Sequence, residues 1–280
     1  MEKKFELTEN YVVNELGTKL CQIKCTKTFK YAKEGELGGY IEKEENLSQE
    51  GDAWVSDNAQ VSGNARVSDN ARVYGNARVY GDARVFGNAW VYDDARVFDD
   101  AQVFVNARVY GNARVYGNAW VFGNARVYGN AWVSGDAQVS GNAWVYGDAR
   151  VLGNAWVSGN AEVLGNALVF GNARVSGNAR VCGNARVFGN ARVSGDACLK
   201  SDADHCGFDC FGSSNRHTHA YLTGDNTVEI TCGYFRGSIE EFEKKVKNTH
   251  DGTVYENQHN AIINVIKIKF GSAQRQNRQV

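Results

Sequence analysis

The most regular feature of the chain is a six-residue pattern of apolar and polar positions that runs from residue 51 to residue 200 without an insertion. Each of the 25 units reads Gly-Asn-Ala-x-Val-x or a close variant. Alanine and valine alternate with two variable residues, which is the side-chain period of a β-strand. The pattern therefore predicts a stack of very short strands whose alanine and valine side chains form a thin, uniform interior.

The two residues between successive strands form a predicted corner. Its first position is usually glycine but accepts aspartate and, at Val105, a β-branched residue, while its second position is always asparagine or aspartate. A β-branched residue disfavours positive φ, whereas asparagine and aspartate tolerate it. We therefore place the left-handed residue of each corner at the asparagine or aspartate and not at the glycine.

Aromatic residues recur at a spacing of 18, and this spacing predicts how many units complete one coil. The position after valine is tyrosine at every eighteenth residue from Tyr74 to Tyr146, and phenylalanine at Phe86, Phe104 and Phe122. When identical side chains stack on one another in successive coils, their spacing in the sequence equals the number of residues in one coil. Three units per coil give about eight coils and, at ~4.8 Å for each coil, a prism roughly 40 Å long.

Two further segments flank the repeat, so we predict three domains with boundaries at 1–50, 51–200 and 201–280. Counting back in sixes from Ala53 reaches Leu47 and Ile41, so the six-residue frame begins before the repeat itself. A stack of coils exposes sheet edges at its ends, and such edges need a cover. We therefore expect residues 1–50 to form an N-terminal β cap.

The last segment, residues 201–280, predicts a small α+β module. A Gly-Asp-Asn turn at 224–226 lies between two strand-like runs, as in a β-hairpin. Ser238 and Glu241 have the spacing of a capping box and predict the start of a helix. A second apolar run over residues 260–270 predicts another helix, although its alternation at 266–270 also suits a strand.

Composition and charge narrow the class of protein. The formal net charge is −1, which argues against a dominant electrostatic surface for nucleic acid or an acidic membrane. The chain begins without the apolar run of a signal peptide and has no apolar run of about 18 residues. We therefore expect a cytoplasmic protein with no membrane partner, whose seven cysteines are thiols.

The outer faces of the predicted prism carry arginine and aromatic residues, which are typical of binding surfaces. The position after alanine is arginine in thirteen units and tryptophan in six. These residues can stack on one another as a stiffening surface ladder, or they can contact a partner. We choose one face as the candidate partner-binding surface, with Tyr74, Tyr92, Tyr110, Tyr128, Tyr146, Arg72, Arg108, Arg126, Trp90 and Trp144.

The valine, alanine and Gly-Asn positions of the repeat resemble those of the hexapeptide-repeat left-handed β-helix family. This resemblance implies a mainly β protein with a left-handed parallel β-helix. Many family members are acyltransferases with a catalytic histidine and a projecting loop, and related carbonic anhydrases bind zinc through three histidines. The five histidines of this chain all lie outside the repeat, and no loop interrupts it. Neither activity is therefore expected here.

Three stretches, at 37–48, 212–218 and 232–242, resemble segments of uncharacterised phage and bacterial YdcK-like hexapeptide-repeat proteins. The resemblance implies a phage or prophage origin. Some members are labelled transferases, but a fold without the catalytic residues does not imply the activity.

Several smaller clusters allow alternative interpretations. Cys198, His205, Cys206, Cys210, His217, His219 and Cys232 could gather around zinc, but no Cys-x2-Cys pair is present, so we predict no metal and no cofactor. The aspartates at 93, 94, 99 and 100 suit calcium or, more simply, corner positions. Arg216 and Arg236, near the predicted hairpin, are candidate anion contacts.

These observations together predict a non-enzymatic, rigid binding or structural protein. Its partner would be a protein or a small nucleotide, and one version is the capture of a host defence factor. An acyltransferase with a site between subunits and a scaffold that contacts nucleic acid are the alternatives. Exposed aromatic residues on this scale also favour self-association, with a trimer as the model that the resemblance implies.

Overall fold

A computed structural model describes residues 2–276 of the chain, with side chains described as far as residue 271. Three N-terminal strands precede a β-solenoid, and a four-stranded sheet with two helices follows it. The N-terminal strands are β1 (Phe5–Val13), β2 (Lys19–Cys25) and β3 (Leu37–Ile41). Twenty-five two-residue strands then follow at intervals of six residues, from β4 (Trp54–Val55) to β28 (Cys198–Leu199). The last elements are β29 (His205–Phe211), β30 (Arg216–Leu222), β31 (Val228–Cys232), β32 (Phe235–Gly237), α1 (Ile239–His250) and α2 (Val254–Gln276).

The solenoid strands form three parallel sheets, because each strand pairs with the strand three places further along the chain. Val91, for example, pairs with Val73 on one side and Val109 on the other. Partners are thus 18 residues apart, the same spacing at which like side chains recur in the sequence. The result is a parallel β-solenoid of about nine turns. Its left-handed sense stays a prediction.

The solenoid interior consists of the alanine and valine of every unit. From Ala53 to Leu199 these side chains are at most 2% exposed, and they form one continuous cluster. Burying one valine contributes roughly 1.5–3 kcal/mol, so a single coil gains too little to fold alone. The stack folds because backbone N–H groups along the solenoid bond to carbonyls of the next coil, such as Arg72 N to Ala89 O at 2.9 Å.

The left-handed residue of each corner is the first corner residue and not the second, so our prediction was wrong. The first corner residue has positive φ throughout the described solenoid, whether it is glycine, one of the aspartates at 57, 69, 93 and 99, or Val105 with φ 65°. Glycine is common there because the next coil is close: a Cβ on Gly63 would lie 3.0 Å from Gly81 O. Each aspartate compensates with a hydrogen bond, as Gly87 N donates to Asp69 Oδ2 at 2.8 Å.

The N-terminal segment covers one end of the solenoid, but its register differs from the predicted frame. Ile41 pairs with Val61 and Leu47 bridges Val67, so both take the valine position and not the alanine position that we predicted. The reason is that the next corner is two residues longer than the others. Gln49 lies in this longer corner, where its side chain accepts a hydrogen bond from Lys4 N at 2.7 Å.

The buried Lys4 closes this end of the solenoid. Its Nζ donates to Ala53 O at 2.9 Å and to Gly51 O at 3.3 Å, while Phe29 packs edge-on against Trp54 at 5.4 Å. Burial lowers the pKa of Lys4 to about 8. Backbone carbonyls of the first coil are thereby satisfied by the side chain of the residue directly before β1.

The C-terminal segment covers the other end with its four-stranded sheet, ordered β29-β30-β31-β32 and antiparallel throughout. The predicted hairpin is confirmed by the β30–β31 pair, and the predicted capping box by Ser238 N donating to Glu241 Oε2 at 2.8 Å. The run 260–270 lies within α2 and is helical. Both helices pack on the sheet through a second apolar cluster that includes Ile230, Phe242 and Ile263.

Of the helices in residues 2–276, none combines the length and the apolar character that a membrane crossing needs.

Candidate functional site

All ten predicted partner-binding residues lie on the outer side of one sheet, the nine-stranded sheet that begins with β4 and ends with β28. We call this surface the tyrosine face. Arg72, Trp90 and Arg108 are direct neighbours across adjacent strands, and Arg126 and Trp144 continue the same row. The five tyrosines form a second row beside it. Every one of these side chains is half-buried, because each packs against its neighbours in the rows.

The tyrosine row is a continuous stack of five parallel rings. Successive centroids from Tyr74 to Tyr146 are 4.8–4.9 Å apart, with interplanar angles of 1–4°. This spacing is the distance between neighbouring strands of the sheet, so the backbone sets the stacking distance. The faces of the interior rings are therefore covered, and a partner can reach only the ring edges and the hydroxyl groups.

The arginine and tryptophan row is also packed against itself. Trp90 lies between two guanidinium groups, with Arg108 at 4.6 Å and Arg72 at 5.4 Å from the ring centroid. Arg126 lies 5.0 Å from the ring of Trp144. These cation–π contacts hold the arginine side chains flat on the sheet. The tyrosine face thus presents positive charge at fixed positions beside a row of phenols.

The phenols stay protonated across the physiological pH range. Burial, followed by the neighbouring Tyr110 and Tyr74, raises the pKa of Tyr92 to about 12. Burial, followed by Tyr110 and Tyr146, likewise raises the pKa of Tyr128 to about 12. Each hydroxyl can therefore donate a hydrogen bond as well as accept one. The row of hydroxyl groups can therefore donate hydrogen bonds to carbonyl or carboxylate groups on the surface of a partner.

Shorter aromatic stacks occur on the other two solenoid sheets. Tyr80, Phe98 and Tyr116 stack at 4.9 Å on the sheet that continues into β3, and Phe86, Phe104 and Phe122 stack at 4.9–5.0 Å on the eight-stranded sheet. The most exposed solenoid tryptophans, Trp120 and Trp156, also lie on the eight-stranded sheet. Stacking itself is thus general, and the length of the stack distinguishes the tyrosine face.

The corners carry a second kind of ladder, which sequence reasoning missed. Asparagine side chains at the second corner position donate to the asparagine or aspartate 18 residues further on. The longest ladder runs from Asn70 to Asp196 through seven hydrogen bonds of 3.0–3.2 Å. An ionised aspartate accepts but cannot donate, so it ends a ladder. Reading the corner residues at period 18 would have revealed this.

Comparison with protein families agrees with the repeat architecture. A family model described as the YdcK β-solenoid repeat matches this chain twelve times between residues 59 and 198. The chain belongs to the YdcK β-solenoid repeat family. A search of curated proteins gives no match. The matched residues contain all ten predicted residues of the tyrosine face, which is therefore a surface of the YdcK repeats and not of the two ends.

The two predicted anion contacts lie in the C-terminal module, beyond the YdcK repeats. Arg236 already has an anionic partner, because its Nε and Nη2 donate to the carboxylate of Glu229 at 2.7 and 3.0 Å. The same contact raises the pKa of Arg236. Arg216 is exposed and lies over the ring of Tyr234 at 5.9 Å. Of the two, Arg216 is thus the better placed to meet an external anion.

Three histidines of the module lie side by side near the last YdcK coil, with the ring of His219 5.1 Å from that of His205 and 5.7 Å from that of His217. His219 bonds His205 at 3.0 Å and Arg192 O at 3.0 Å, while His217 bonds Asp209 at 2.7 Å. Within residues 2–276, no three cysteine, histidine or acidic side chains come together as a metal ion would require. His219 instead forms a polar contact between the module and the solenoid end, through Arg192 O.

Proposed function

We propose that this protein is a non-enzymatic binding scaffold whose tyrosine face contacts a protein partner. The observation that carries the proposal is the unbroken stack of five tyrosines beside a row of arginine and tryptophan. These three residue types are the most enriched in binding hot spots. They are also held in place before binding, since the strand spacing and the cation–π contacts fix them, and this lowers the entropy lost on association.

A protein partner is favoured over a nucleotide on this face. Bases bind aromatic side chains by stacking on ring faces. On the tyrosine face the interior rings already cover one another at 4.8–4.9 Å, which leaves their edges and hydroxyls for contact. A row of edges and hydroxyls beside fixed guanidinium groups suits the polar and acidic side chains of another protein.

The non-enzymatic part of the proposal is supported by the arrangement of the histidines. All five lie outside the repeat, in residues 205–259. A hexapeptide-repeat acyltransferase would need a histidine from the C-terminal module and an acyl carrier bound between subunits. Binding of acetyl-CoA with turnover would contradict our proposal and favour that alternative.

The origin and setting of the protein stay predictions. They comprise a phage or prophage origin, the capture of a host defence factor, a cytoplasmic location and assembly as a trimer. Light scattering of the purified protein measures the assembly state directly.

The proposal is tested by removing the centre of the tyrosine face. We expect the triple variant Tyr92→Ser, Arg108→Ser, Tyr110→Ser to lose at least about 90% of the captured partner in a quantitative pull-down, because a few central hot-spot residues carry most of the binding energy. The measurement is the abundance of each captured protein relative to the unchanged chain, with the melting temperature recorded for every variant.

A matched variant on another sheet supplies the control. Phe98→Ser, Arg114→Ser, Tyr116→Ser removes the same number of stacked rings and one arginine from the sheet that continues into β3. It should keep the partner and lose a similar amount of stability. If both variants lose the partner equally, or if the face variant keeps it, the tyrosine face is a stiffening ladder and the proposal is wrong.

A further inference from the structure

The C-terminal module contains a groove that is separate from the tyrosine face. It lies between the loop that joins β31 to β32, one side of α1 and the first turns of α2. Its volume is about 570 Å³, within the range of sites for small molecules, about 300–1,000 Å³. We call it the C-terminal groove and define it by Arg216, Tyr234, Phe235, Phe242, Lys245 and His259.

The groove is positively charged, although the chain as a whole is nearly neutral. Among the described residues that line it, two are arginine, one is lysine, two are histidine and none is acidic. Arg236 is neutralised by Glu229, which leaves the exposed Arg216 and Lys245 as the cations of the rim. With a net charge of −1 for the whole chain, this local excess of positive charge favours an anionic ligand.

The inside of the groove is aromatic. Phe235 and Phe242 pack with ring centroids 5.0 Å apart, and His259 meets Phe242 edge-on at 5.8 Å. At the rim, the side chain of Tyr234 is 98% exposed and projects beside Gly233, whose φ is 60°. Tyrosine in this position has no apolar cover of its own, but it can stack on a ring that enters the groove.

The groove is held in shape by contacts that do not depend on a ligand. The buried His259 donates from Nδ1 to Tyr255 O at 2.7 Å and stacks on His250 at 5.3 Å with the rings 7° from parallel. Gly212 N donates to the side chain of Gln258 at 2.9 Å, which fixes the start of α2 against the β29–β30 turn. A groove formed in advance in this way loses little entropy on binding.

We propose that the C-terminal groove binds a small ligand that combines an aromatic ring system with a phosphate group, of the nucleoside monophosphate class. The ring would lie against Phe235 and Phe242 under Tyr234. The phosphate would lie at the rim between Arg216 and Lys245. Arginine and lysine both bind phosphate strongly, because the hydrogen bonds are assisted by charge. This site is independent of the tyrosine face, so either proposal can fail without the other.

The ligand class is tested with four probes on the full chain. Adenosine monophosphate and phenyl phosphate contain both the ring and the phosphate, adenosine contains only a ring system, and inorganic phosphate contains no ring. By calorimetry, and by NMR shifts of the groove residues, we expect the first two to saturate below about 1 mM and the last two to bind at least about tenfold more weakly. No saturable binding of either phosphate ester in both measurements would overturn the proposal.

Single substitutions then locate the site. Arg216→Gln and Lys245→Gln should each weaken binding of adenosine monophosphate about tenfold, the effect of losing one charge-assisted hydrogen bond. The neighbouring Lys244→Gln is the control, because Lys244 is an exposed lysine of α1 that does not line the groove. Both cations are exposed, so the variants should stay folded. If Lys244→Gln weakens binding as much as Lys245→Gln, or if Arg216→Gln has no effect, the groove is not the binding site.

Discussion

Val105 occupies a corner position where most units have glycine, and its backbone has φ 65°. A β-branched residue in this conformation is strained by roughly 1–2 kcal/mol. The aspartates at the same position accept a hydrogen bond from the next coil, as Asp93 does from Gly111 N at 3.2 Å, but a valine side chain has no acceptor. The strain at Val105 is therefore uncompensated by its own side chain.

We expect Val105→Gly to stabilise the protein. Relief of the strain exceeds the larger chain entropy of glycine in the unfolded state, so the free energy of unfolding should rise by about 0.5–1 kcal/mol. Denaturant unfolding followed by circular dichroism measures the change. The reverse substitution one coil further on, Gly123→Val, should destabilise, since a Cβ there would lie 3.0 Å from Gly141 N and O. A lower stability of Val105→Gly would contradict this account.

The same residue explains why the corner was predicted wrongly. Val105 led us to exclude positive φ at the first corner position, because one valine there would be strained. In the structure the neighbouring coils impose the conformation, and one strained residue is tolerated among 25 corners. The φ preference of a single residue predicts the local backbone conformation poorly where hydrogen bonds to the two adjacent coils fix that backbone.

At the scale of elements, the C-terminal sheet covers the last coil through a polar contact. His219, which is 1% exposed, bonds Arg192 O at 3.0 Å, and Thr231 bonds the same carbonyl at 3.3 Å. Burial lowers the pKa of His219 to about 3, and burial also lowers the pKa of His205. The contact therefore requires neutral imidazoles.

This contact should make the C-terminal module sensitive to acid. In the unfolded chain His219 takes up a proton near pH 6.5, whereas in the folded protein it stays neutral down to about pH 3. As the pH falls through this window, the unfolded state binds more protons, so the free energy of unfolding falls by up to about 1.4 kcal/mol per pH unit for this group. Amide hydrogen exchange of β30, corrected for intrinsic rates, measures the slope.

His219→Asn is the control for the acid sensitivity. Asparagine can keep a donor near Arg192 O but does not titrate, so the slope with pH should be smaller by the contribution of one histidine. An unchanged slope would show that His219 is not responsible.

The N-terminal cap shows what sequence patterns predict well and what they do not. Coil-like pairing did begin before residue 51, at Ile41 and Leu47, but in a different register from the predicted frame. The longer corner between Leu47 and Val55 was missed, because two extra residues in a degenerate unit leave no mark on the pattern. The position of that corner depends on Lys4, which is distant in sequence and bonds Ala53 O.

At the scale of the whole molecule, each coil contacts only its two neighbours, so the solenoid should tolerate loss of one complete coil. Deleting residues 111–128 removes three units and brings Tyr110 into register with Tyr146. We expect a folded protein whose melting temperature is lower by no more than about 5 °C. It should keep the partner of the tyrosine face, with a stack of four rings, and a quantitative pull-down checks this.

A shorter deletion is the matched comparison. Removing residues 111–122 takes out only two units, so the solenoid can still close but Tyr110 comes into register with Ser140. The row on the tyrosine face then ends after three rings, whereas Tyr128 and Tyr146 come into register behind Phe98 on a neighbouring sheet. The C-terminal module also sits on a different sheet relative to the N-terminal cap. We expect this variant to fold and to lose the partner. If it binds as well as the longer deletion, an unbroken row of four tyrosines is not what the partner recognises.

The candidate surfaces differ in how far the sequence predicts them. The tyrosine face follows from periodicity, because residues 18 apart are neighbours in every coil. The C-terminal groove does not, because Arg216, Phe242 and His259 come together only after a sheet and two helices have packed. Contacts between residues that are far apart in the sequence depend on that packing, and no periodic pattern in the sequence marks them. The sequence singled out Arg216 as an anion contact without indicating its neighbours.

The asparagine ladders of the corners have a consequence for ageing of the protein. An asparagine that deamidates becomes an aspartate, which keeps its acceptor and loses its donor. In the ladder from Asn70 to Asp196, this change at Asn124 would keep the bond from Asn106 and remove the bond to Asn142. Each such event divides one ladder into two, so older molecules would carry shorter ladders than newly made ones.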